Sequence, residues 1–342
     1  MEKKRIEWID SIKGFAIICV VLGHIVKGYM DAGLYPENTS LMHAVYNIIY
    51  AFHMPLFFTI SGFLFNEAYV VGTLPDSSIK TRSVNRQMIN LLILYVGYNL
   101  LLGSSKIIFS GAVTNKVNMT DLIMIWAKPI QLFWYLYVLL LYYMLFRVDR
   151  IRNTNQYCLL VVLAIISALT GFIPAIEWFQ INNFLYYAFF FALGIGFKYL
   201  IQHITFVRGG YCLCIISVIL SICLWSHNRY LCTIPIANWI IASGLVFGLI
   251  ELFRKTTIIS SNPLFLLCGK YNLEIFLLHS FSATASRAIL SKTGINANLS
   301  IMCNLVISIV VPVLFSIVAK KIGAYNLFFK PYRLIEIIAK KK

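Results

Sequence analysis

Long apolar runs, separated by short polar breaks, constrain the fold of this 342-residue chain more than any other feature. The chain is 60% hydrophobic and only 12% charged, and its runs are about 20 residues long, the length of helix that crosses a bilayer. We therefore expect an all-α, polytopic integral membrane bundle of about ten transmembrane helices. The predicted spans are 13–30, 43–66, 87–103, 122–146, 157–174, 181–199, 210–227, 236–253, 271–290 and 299–319.

Membrane topology accounts for the formal net charge of +16 without a nucleic-acid partner. With an even number of spans and a cytoplasmic start, 22 of the 29 lysines and arginines fall on the cytoplasmic side, as the positive-inside rule requires. We expect both termini in the cytoplasm, membrane lipids as neighbours, no nucleic-acid binding, and a multi-pass location in a cell membrane, the inner membrane of a bacterium. The chain is predicted to be a single transmembrane domain, 1–342, with a cytoplasmic flank at 1–12 and a basic cytoplasmic tail at 320–342.

The cysteines do not predict a metal site. Six of the eight lie inside apolar runs, and no two are spaced Cys-x-x-Cys. We interpret them as small apolar packing residues and expect no bound metal.

Two ionisable residues share one face of the first predicted span. Lys13 and His24 are eleven residues apart, which is about 20° beyond three full turns of an α-helix and about 16 Å along its axis. A cation near the water boundary and an imidazole near the bilayer midplane are typical of a site that holds an anionic cofactor and moves protons. Asp10 lies on nearly the same stripe and is expected to anchor the lysine ammonium. The alternative is a histidine that only forms hydrogen bonds between helices.

A polar stripe also runs along the second predicted span. Its members follow at spacings of three and four: His43, Tyr46, Asn47, Tyr50 and His53. Such a stripe lines a wet or hydroxylated site, and aromatic faces with a few hydrogen-bonding groups suit a carbohydrate. The alternative is hydrogen bonding between helices without a substrate.

Basic residues precede the third predicted span. Arg82 and Arg86 are one helical turn apart if the helix has already begun, and with Lys80 and Lys13 they would present several cations on the cytoplasmic side. These cations suit the phosphates of an acyl-coenzyme A or a nucleotide. The positive-inside rule alone also predicts basic residues here, so this alternative stays open.

The ninth predicted span contains Glu274 and His279 within an apolar run. Five residues place them about 140° apart around a helix, so each must find its partner on another helix. Lys270 is predicted to lie one turn before Glu274, and in the alternative interpretation it simply neutralises that carboxylate. A secondary transporter or a flippase of a polysaccharide precursor would also need such groups, but no internal repeat supports that function. A non-catalytic scaffold would leave the alignment of Lys13 with His24 unexplained.

Five segments, in order along nearly the whole chain, carry a resemblance to a known family. They are WIDSIKGFAIICVVLGHI, AFHMPLFFTISGFLF, LFWYLYVLL, FFFALGIGFKYL and NLEIFLLHS. In these segments the chain resembles the acyltransferase family 3 membrane proteins, especially their fucose 4-O-acetylase-like branch. The resemblance implies a helical bundle that transfers an acyl group, usually acetyl, from cytoplasmic acyl-coenzyme A to a hydroxyl of surface carbohydrate or a lipid-linked glycan precursor. It implies acyl-coenzyme A (acetyl-CoA) as a co-substrate and no permanently bound cofactor.

The resemblance also implies roles for individual residues. His24 matches the essential first-span histidine of the family, and Lys13 matches the basic residue before it. The family's arginine pair, often Arg-x-x-Arg, corresponds to Arg82 and Arg86, which here are one residue further apart and lack the proline that commonly follows. His24 is therefore expected to be catalytic, as a general base or as the carrier of the acyl group, while the three cations hold the donor's phosphates. Four further residues are expected to bind the acceptor or support the site: Asp10, Tyr50, His53 and Glu274.

Overall fold

The computed structural model describes residues 6–34, 41–70, 77–111, 115–146, 155–176, 178–203, 210–226 and 235–339. All regular structure in these ranges is helical. The α-helices, in chain order, are α1 (Glu7–Asp31), α2 (Leu41–Val70), α3 (Ser77–Ile108), α4 (Met119–Ile123), α5 (Trp134–Phe146), α6 (Gln156–Thr170), α7 (Ile181–His203), α8 (Gly210–Ser226), α9 (Pro235–Lys255), α10 (Thr257–Ser260), α11 (Pro263–Lys270), α12 (Asn272–Leu290), α13 (Ala297–Lys321), α14 (Tyr325–Phe329) and α15 (Pro331–Ala339).

Six helices in the described ranges are long and apolar enough to cross a membrane. They are Glu7–Asp31, Ala44–Phe65, Val84–Ile108, Met119–Phe146, Pro235–Lys255 and Ala297–Lys321. A seventh span results if α11 and α12 are counted as one bent pair. The prediction of an all-helical chain of membrane type is thus confirmed, whereas the count of ten spans is not. The cytoplasmic position of both termini and the single domain over 1–342 stay predictions.

The chain divides into two compact units. The first comprises Met1–Ile60 and Tyr199–Ile317, and the second comprises Ser61–Lys198 and Val318–Lys342. Each unit has its own buried apolar side chains, such as Ile12 and Leu277 in the first and Phe133 and Phe190 in the second.

In the first unit, α1 packs against α9, α11 and α12. Two glycines bring α1 and α11 into backbone contact: a β-carbon at Gly14 would collide with the carbonyl oxygen of Phe265, and one at Gly269 with the carbonyl oxygen of Asp10. Small residues permit such a close approach of two helices within a membrane protein. This contact fixes α1 against its neighbour near the end of the helix that carries Lys13.

The ninth predicted span, 271–290, differs from the structure in one respect. The helix α11 ends at Lys270, and α12 begins at Asn272 after a bend of 84°. Tyr271, between them, has φ −105° and ψ 21°, which lies outside the helical region and turns the chain. The sequence predicted that Lys270 lies one helical turn before Glu274, and this prediction is wrong because the two residues belong to different helices. The ammonium of Lys270 lies 5.6 Å from the centre of the Tyr271 ring.

In the second unit, α3 packs against α4, α5 and α15. The side chain of Asn99 accepts a hydrogen bond from the backbone N–H of Ile130 at 2.8 Å, which ties α3 to the segment before α5. The hydroxyl of Tyr98 donates to the carbonyl of Phe328 in α14 at 3.3 Å. The helix α3 also contains both Arg82 and Arg86, so the two arginines are one turn apart in the same helix, as expected.

Candidate functional site

His24 lies in the middle of α1 and is half-buried. The neighbouring Gly23 makes room for α2, since a β-carbon at Gly23 would lie 3.0 Å from Cε2 of Tyr50. The hydroxyl of Tyr50 consequently lies 3.4 Å from Nδ1 of His24. A titratable imidazole and a phenol therefore lie side by side inside an apolar bundle.

His53 extends this group along α2. Its ring centre lies 4.9 Å from that of Tyr50 and 6.5 Å from that of His24, and its side chain is buried. Its Nδ1 lies 2.7 Å from the carbonyl oxygen of Ile49. Because a carbonyl only accepts, Nδ1 carries the hydrogen, and Nε2 of a neutral His53 has a free lone pair.

His279 of α12 completes a cluster of three imidazoles with His24 and His53. Its ring centre lies 5.4 Å from that of His24, and its side chain is fully buried. Nδ1 lies 3.0 Å from the carbonyl oxygen of Ile275 and 2.9 Å from that of Phe276. Nε2 is buried and has no hydrogen-bond partner among the described residues. His279 is not among the predicted site residues, although an imidazole in an apolar run is a signal that could have found it.

Glu274 is buried one and a half turns before His279 in the same helix. Its Oε1 accepts a hydrogen bond from the hydroxyl of Ser316 in α13 at 3.4 Å. His279, rather than Glu274, is the α12 residue whose ring lies against His24. A supporting role for Glu274 at the acceptor site stays a prediction.

The predicted phosphate-binding cations face carboxylates in the structure. Nζ of Lys13 lies 2.7 Å from Oδ1 of Asp10, which is the pairing that the sequence predicted. Nη2 of Arg86 lies 2.6 Å from Oε1 of Glu336 in α15, which the sequence did not predict. The side chain of Arg82, like those of Lys80 and His43, lies outside the described part of the structure. Lys13 belongs to the first unit and Arg86 to the second, and binding of phosphate by either stays a prediction.

The arrangement around His24 is suited to chemistry on a hydroxyl. An imidazole can take a proton from a bound alcohol or accept an acyl group, and the adjacent phenol can hydrogen-bond the same alcohol. Within the described ranges, no group of three or more His, Cys, Asp or Glu side chains is arranged to hold a metal ion.

Comparisons with known proteins give two matches. A family model described as an acyltransferase domain, that of acyltransferase family 3, matches residues 6–320. The nodulation protein NolL of Sinorhizobium fredii is 28% identical over 165 residues. This second match covers 47% of the present chain and 41% of NolL, so it extends over less than half of either protein. No solved structure matches the chain significantly.

Proposed function

Because the chain belongs to acyltransferase family 3, we propose that it is a membrane-bound O-acyltransferase that moves an acetyl group from cytoplasmic acetyl-CoA to a carbohydrate hydroxyl. The observation that carries this proposal is the imidazole of the half-buried His24 within an apolar helix, beside the hydroxyl of Tyr50. Surface polysaccharide or a lipid-linked precursor is the proposed acceptor. We further propose a bundle of about ten spans in a bacterial inner membrane, with both termini in the cytoplasm.

The donor is proposed to enter from the cytoplasmic side. Its phosphates would bind Lys13, Arg82 and Arg86, because ammonium and guanidinium groups donate charge-assisted hydrogen bonds to phosphate oxygens. Asp10 would then hold the Lys13 side chain in place, as their ion pair indicates. The about 16 Å between Lys13 and His24 along α1 leaves room for the pantetheine arm, with the thioester near the imidazole.

The acceptor is proposed to bind on the α2 side of His24. Tyr46 and Tyr50 present aromatic rings with centres 4.2 Å apart, and the ring of His53 follows at 4.9 Å from that of Tyr50. Neighbouring aromatic rings with hydrogen-bonding edges suit a sugar, which has apolar faces and hydroxyl rims.

Two routes of transfer are compatible with this arrangement. In the direct route, the acceptor oxygen attacks the thioester carbon, the C–S bond breaks, and the hydroxyl proton passes to His24 and then to the thiolate. In the covalent route, the unprotonated ring nitrogen of His24 attacks the thioester carbon and the C–S bond breaks, which releases the thiolate. The acceptor oxygen then attacks the acetyl carbon, the C–N bond breaks, and the hydroxyl proton passes to the thiolate. Both routes give the same products, the acetyl ester and free coenzyme A.

The test uses the full chain in nanodiscs with acetyl-CoA labelled in the acetyl carbon. Methyl fucopyranoside and extracted surface polysaccharide serve as acceptors, and both free thiol and labelled acceptor are measured. We expect transfer by the wild type and a loss of about 10³-fold for His24→Ala, the typical contribution of a positioned proton-transfer group. Met30→Ala, a truncation elsewhere on α1, serves as the control and should retain transfer. Full transfer by His24→Ala, or no acetylation of either acceptor by the wild type, would contradict the proposal.

A further inference from the structure

The fully buried imidazole of His279 has one ring nitrogen, Nε2, without a hydrogen-bond partner among the described residues. Nδ1 is engaged with the carbonyl oxygens of Ile275 and Phe276, so it carries the hydrogen of a neutral imidazole. The lone pair therefore resides on Nε2, which is buried and has no hydrogen-bond partner among the residues that the structure describes. Buried polar atoms are nearly always partnered, so an orphaned acceptor of this kind calls for an explanation.

His24 is the imidazole within reach of that acceptor. The ring centres are 5.4 Å apart and the planes are tilted by 34°, a separation at which one ring nitrogen of each histidine can reach the other across a hydrogen bond. His53 lies farther from His24, with 6.5 Å between ring centres. Of the two buried histidines beside His24, His279 is thus the better placed to accept an N–H from it.

Accessibility separates the roles of the two residues. His24 is half-buried, whereas His279 is fully buried. Of these two residues His24 is therefore the better placed to meet a substrate, and His279 lies behind it. A hydrolase triad has the same order: the substrate contacts one imidazole, and a hydrogen-bond acceptor behind that imidazole orients it. In a triad the acceptor is a carboxylate, whereas here it is the neutral imidazole of His279.

We propose that His279 is the positioning residue of His24 in the acyl transfer proposed above. Its Nε2 accepts a hydrogen bond from Nε2–H of His24, which leaves Nδ1 of His24, beside the Tyr50 hydroxyl, to face the reacting alcohol. When the alcohol oxygen attacks the acyl carbon, the alcohol proton moves to Nδ1 of His24, and the positive charge is shared along the hydrogen bond to His279. The same proton then passes from Nδ1 to the departing thiolate, so both imidazoles end neutral.

Two amide substitutions separate this role from simple packing. In His279→Asn, the amide nitrogen takes the place of Nδ1 and keeps the bonds to the helix carbonyls, but no atom remains at the Nε2 position. In His279→Gln, the longer side chain brings its carbonyl oxygen near the Nε2 position, where it can accept the N–H of His24. Ser282→Ala on the same helix is the control, because its hydroxyl bonds the carbonyls of Leu278 and His279 in its own helix.

We expect His279→Asn to lower kcat for acetyl transfer to methyl fucopyranoside by about 100-fold, with the acetyl-CoA KM within about twofold of wild type. His279→Gln should recover about tenfold of that loss, since it restores the acceptor but not the ring. Ser282→Ala should match wild type. A kcat for His279→Asn within about threefold of wild type would overturn the inference. Equal losses in the Asn and Gln variants, with KM raised and thermal stability lowered together, would also overturn it.

A second measurement does not depend on turnover. Solid-state NMR of the full chain in liposomes, with ¹⁵N-labelled histidine and the His24 signals assigned by their loss in His24→Ala, reports the hydrogen bond directly. We expect the protonated nitrogen of His24 to shift in His279→Asn and to stay unchanged in Ser282→Ala. An unchanged His24 signal in His279→Asn would refute the hydrogen bond even if the wild type transferred no acetyl group. Absence of transfer by the wild type would instead refute the proposed function.

Discussion

The buried imidazoles and the basic side chains of this protein are held in contrasting ways. His53 and His279 are each anchored through Nδ1 to a carbonyl of their own helix, and their rings lie beside His24 in the first unit. Basic side chains instead face carboxylates in ion pairs: Lys13 with Asp10, Lys27 with Asp31, Arg86 with Glu336 and Lys255 with Glu251. The imidazoles are therefore oriented before a substrate arrives, while each of these cations already has a carboxylate beside it.

This contrast predicts two kinds of kinetic effect. A hydrogen bond from Nδ1 to a carbonyl of the same helix keeps each buried imidazole in one orientation. Substitution of these histidines should therefore alter the chemical step and hence kcat. An ion pair at a partly exposed position is weak and exchangeable, so changes there should alter donor binding and hence KM.

Among the variants that compare the two groups, the largest effect is expected at His53. His53→Asn keeps an amide donor for the Ile49 carbonyl but removes Nε2, so kcat with methyl fucopyranoside should fall by about 100-fold while the acetyl-CoA KM is retained. Thr59→Ala is the control on the same helix, because the Thr59 hydroxyl bonds the Pro55 carbonyl one turn away. A raised acetyl-CoA KM with normal kcat would break the division between the two regions.

The next effect concerns Arg86. Arg86→Gln removes a guanidinium that we propose binds phosphate, so the acetyl-CoA KM should rise about tenfold with kcat retained. Arg333→Gln makes the same change of charge at an exposed position of α15 and should leave KM unchanged. Initial rates over a range of acetyl-CoA concentrations give both constants. An unaltered KM for Arg86→Gln would remove this residue from the donor site.

A smaller effect is expected at Tyr50. The 3.4 Å between its hydroxyl and Nδ1 of His24 is long for a hydrogen bond, so Tyr50→Phe should lower kcat/KM for the acceptor by only about fivefold. Tyr29→Phe is the matched control, because the hydroxyl of Tyr29 contacts Ser300 at 2.6 Å on another part of the first unit. A loss as large as that of His24→Ala would assign Tyr50 a part in the chemistry itself.

The smallest effect has the opposite sign. Glu336→Gln releases Arg86 from its ion pair, and because that pair is partly exposed, the acetyl-CoA KM should fall by only about threefold. In the double variant with Arg86→Gln, Glu336→Gln should no longer lower the acetyl-CoA KM. An increase in KM would show that Glu336 holds Arg86 in its binding position rather than competing with phosphate.

Local patterns predicted much of the helical architecture and part of the site. Apolar length predicted the helices, and the spacing of Tyr50 and His53 predicted a shared face, because helical periodicity depends only on neighbours in sequence. The resemblance carried by five segments is confirmed by the family match over residues 6–320. In the structure Tyr50 and His53 of α2 lie beside His24 of α1, so the polar stripe of the second predicted span faces the first.

Contacts between distant segments could not be predicted in this way. Periodicity places His279 on a face of α12, but it does not say that this face meets α1, so its proximity to His24 came only from the structure. The ion pair of Arg86 with Glu336 joins segments 250 residues apart in the same manner.

The bend before α12 did have a local signal. The side chain of Asn262 caps α11 by accepting the backbone N–H of Leu264 at 3.0 Å, and Pro263 follows in the first turn. Asparagine followed by proline is typical of a helix start, and it predicts a helix that begins at Pro263, ahead of the predicted ninth span. Hydropathy alone does not detect it, because the segments on both sides of Tyr271 are apolar.

The backbone contact of Gly14 with α11 determines the position of His24 along the bundle axis. The two helices touch there without an intervening side chain, so α1 has no freedom to slide, and the imidazole stands ten residues, about 15 Å, beyond that fixed point. A methyl group added at Gly14 or Gly269 would leave every reacting group chemically intact. It would shift His24 along the helix axis relative to Tyr50 and His279, so the two glycines fix the position of a side chain that neither of them contacts.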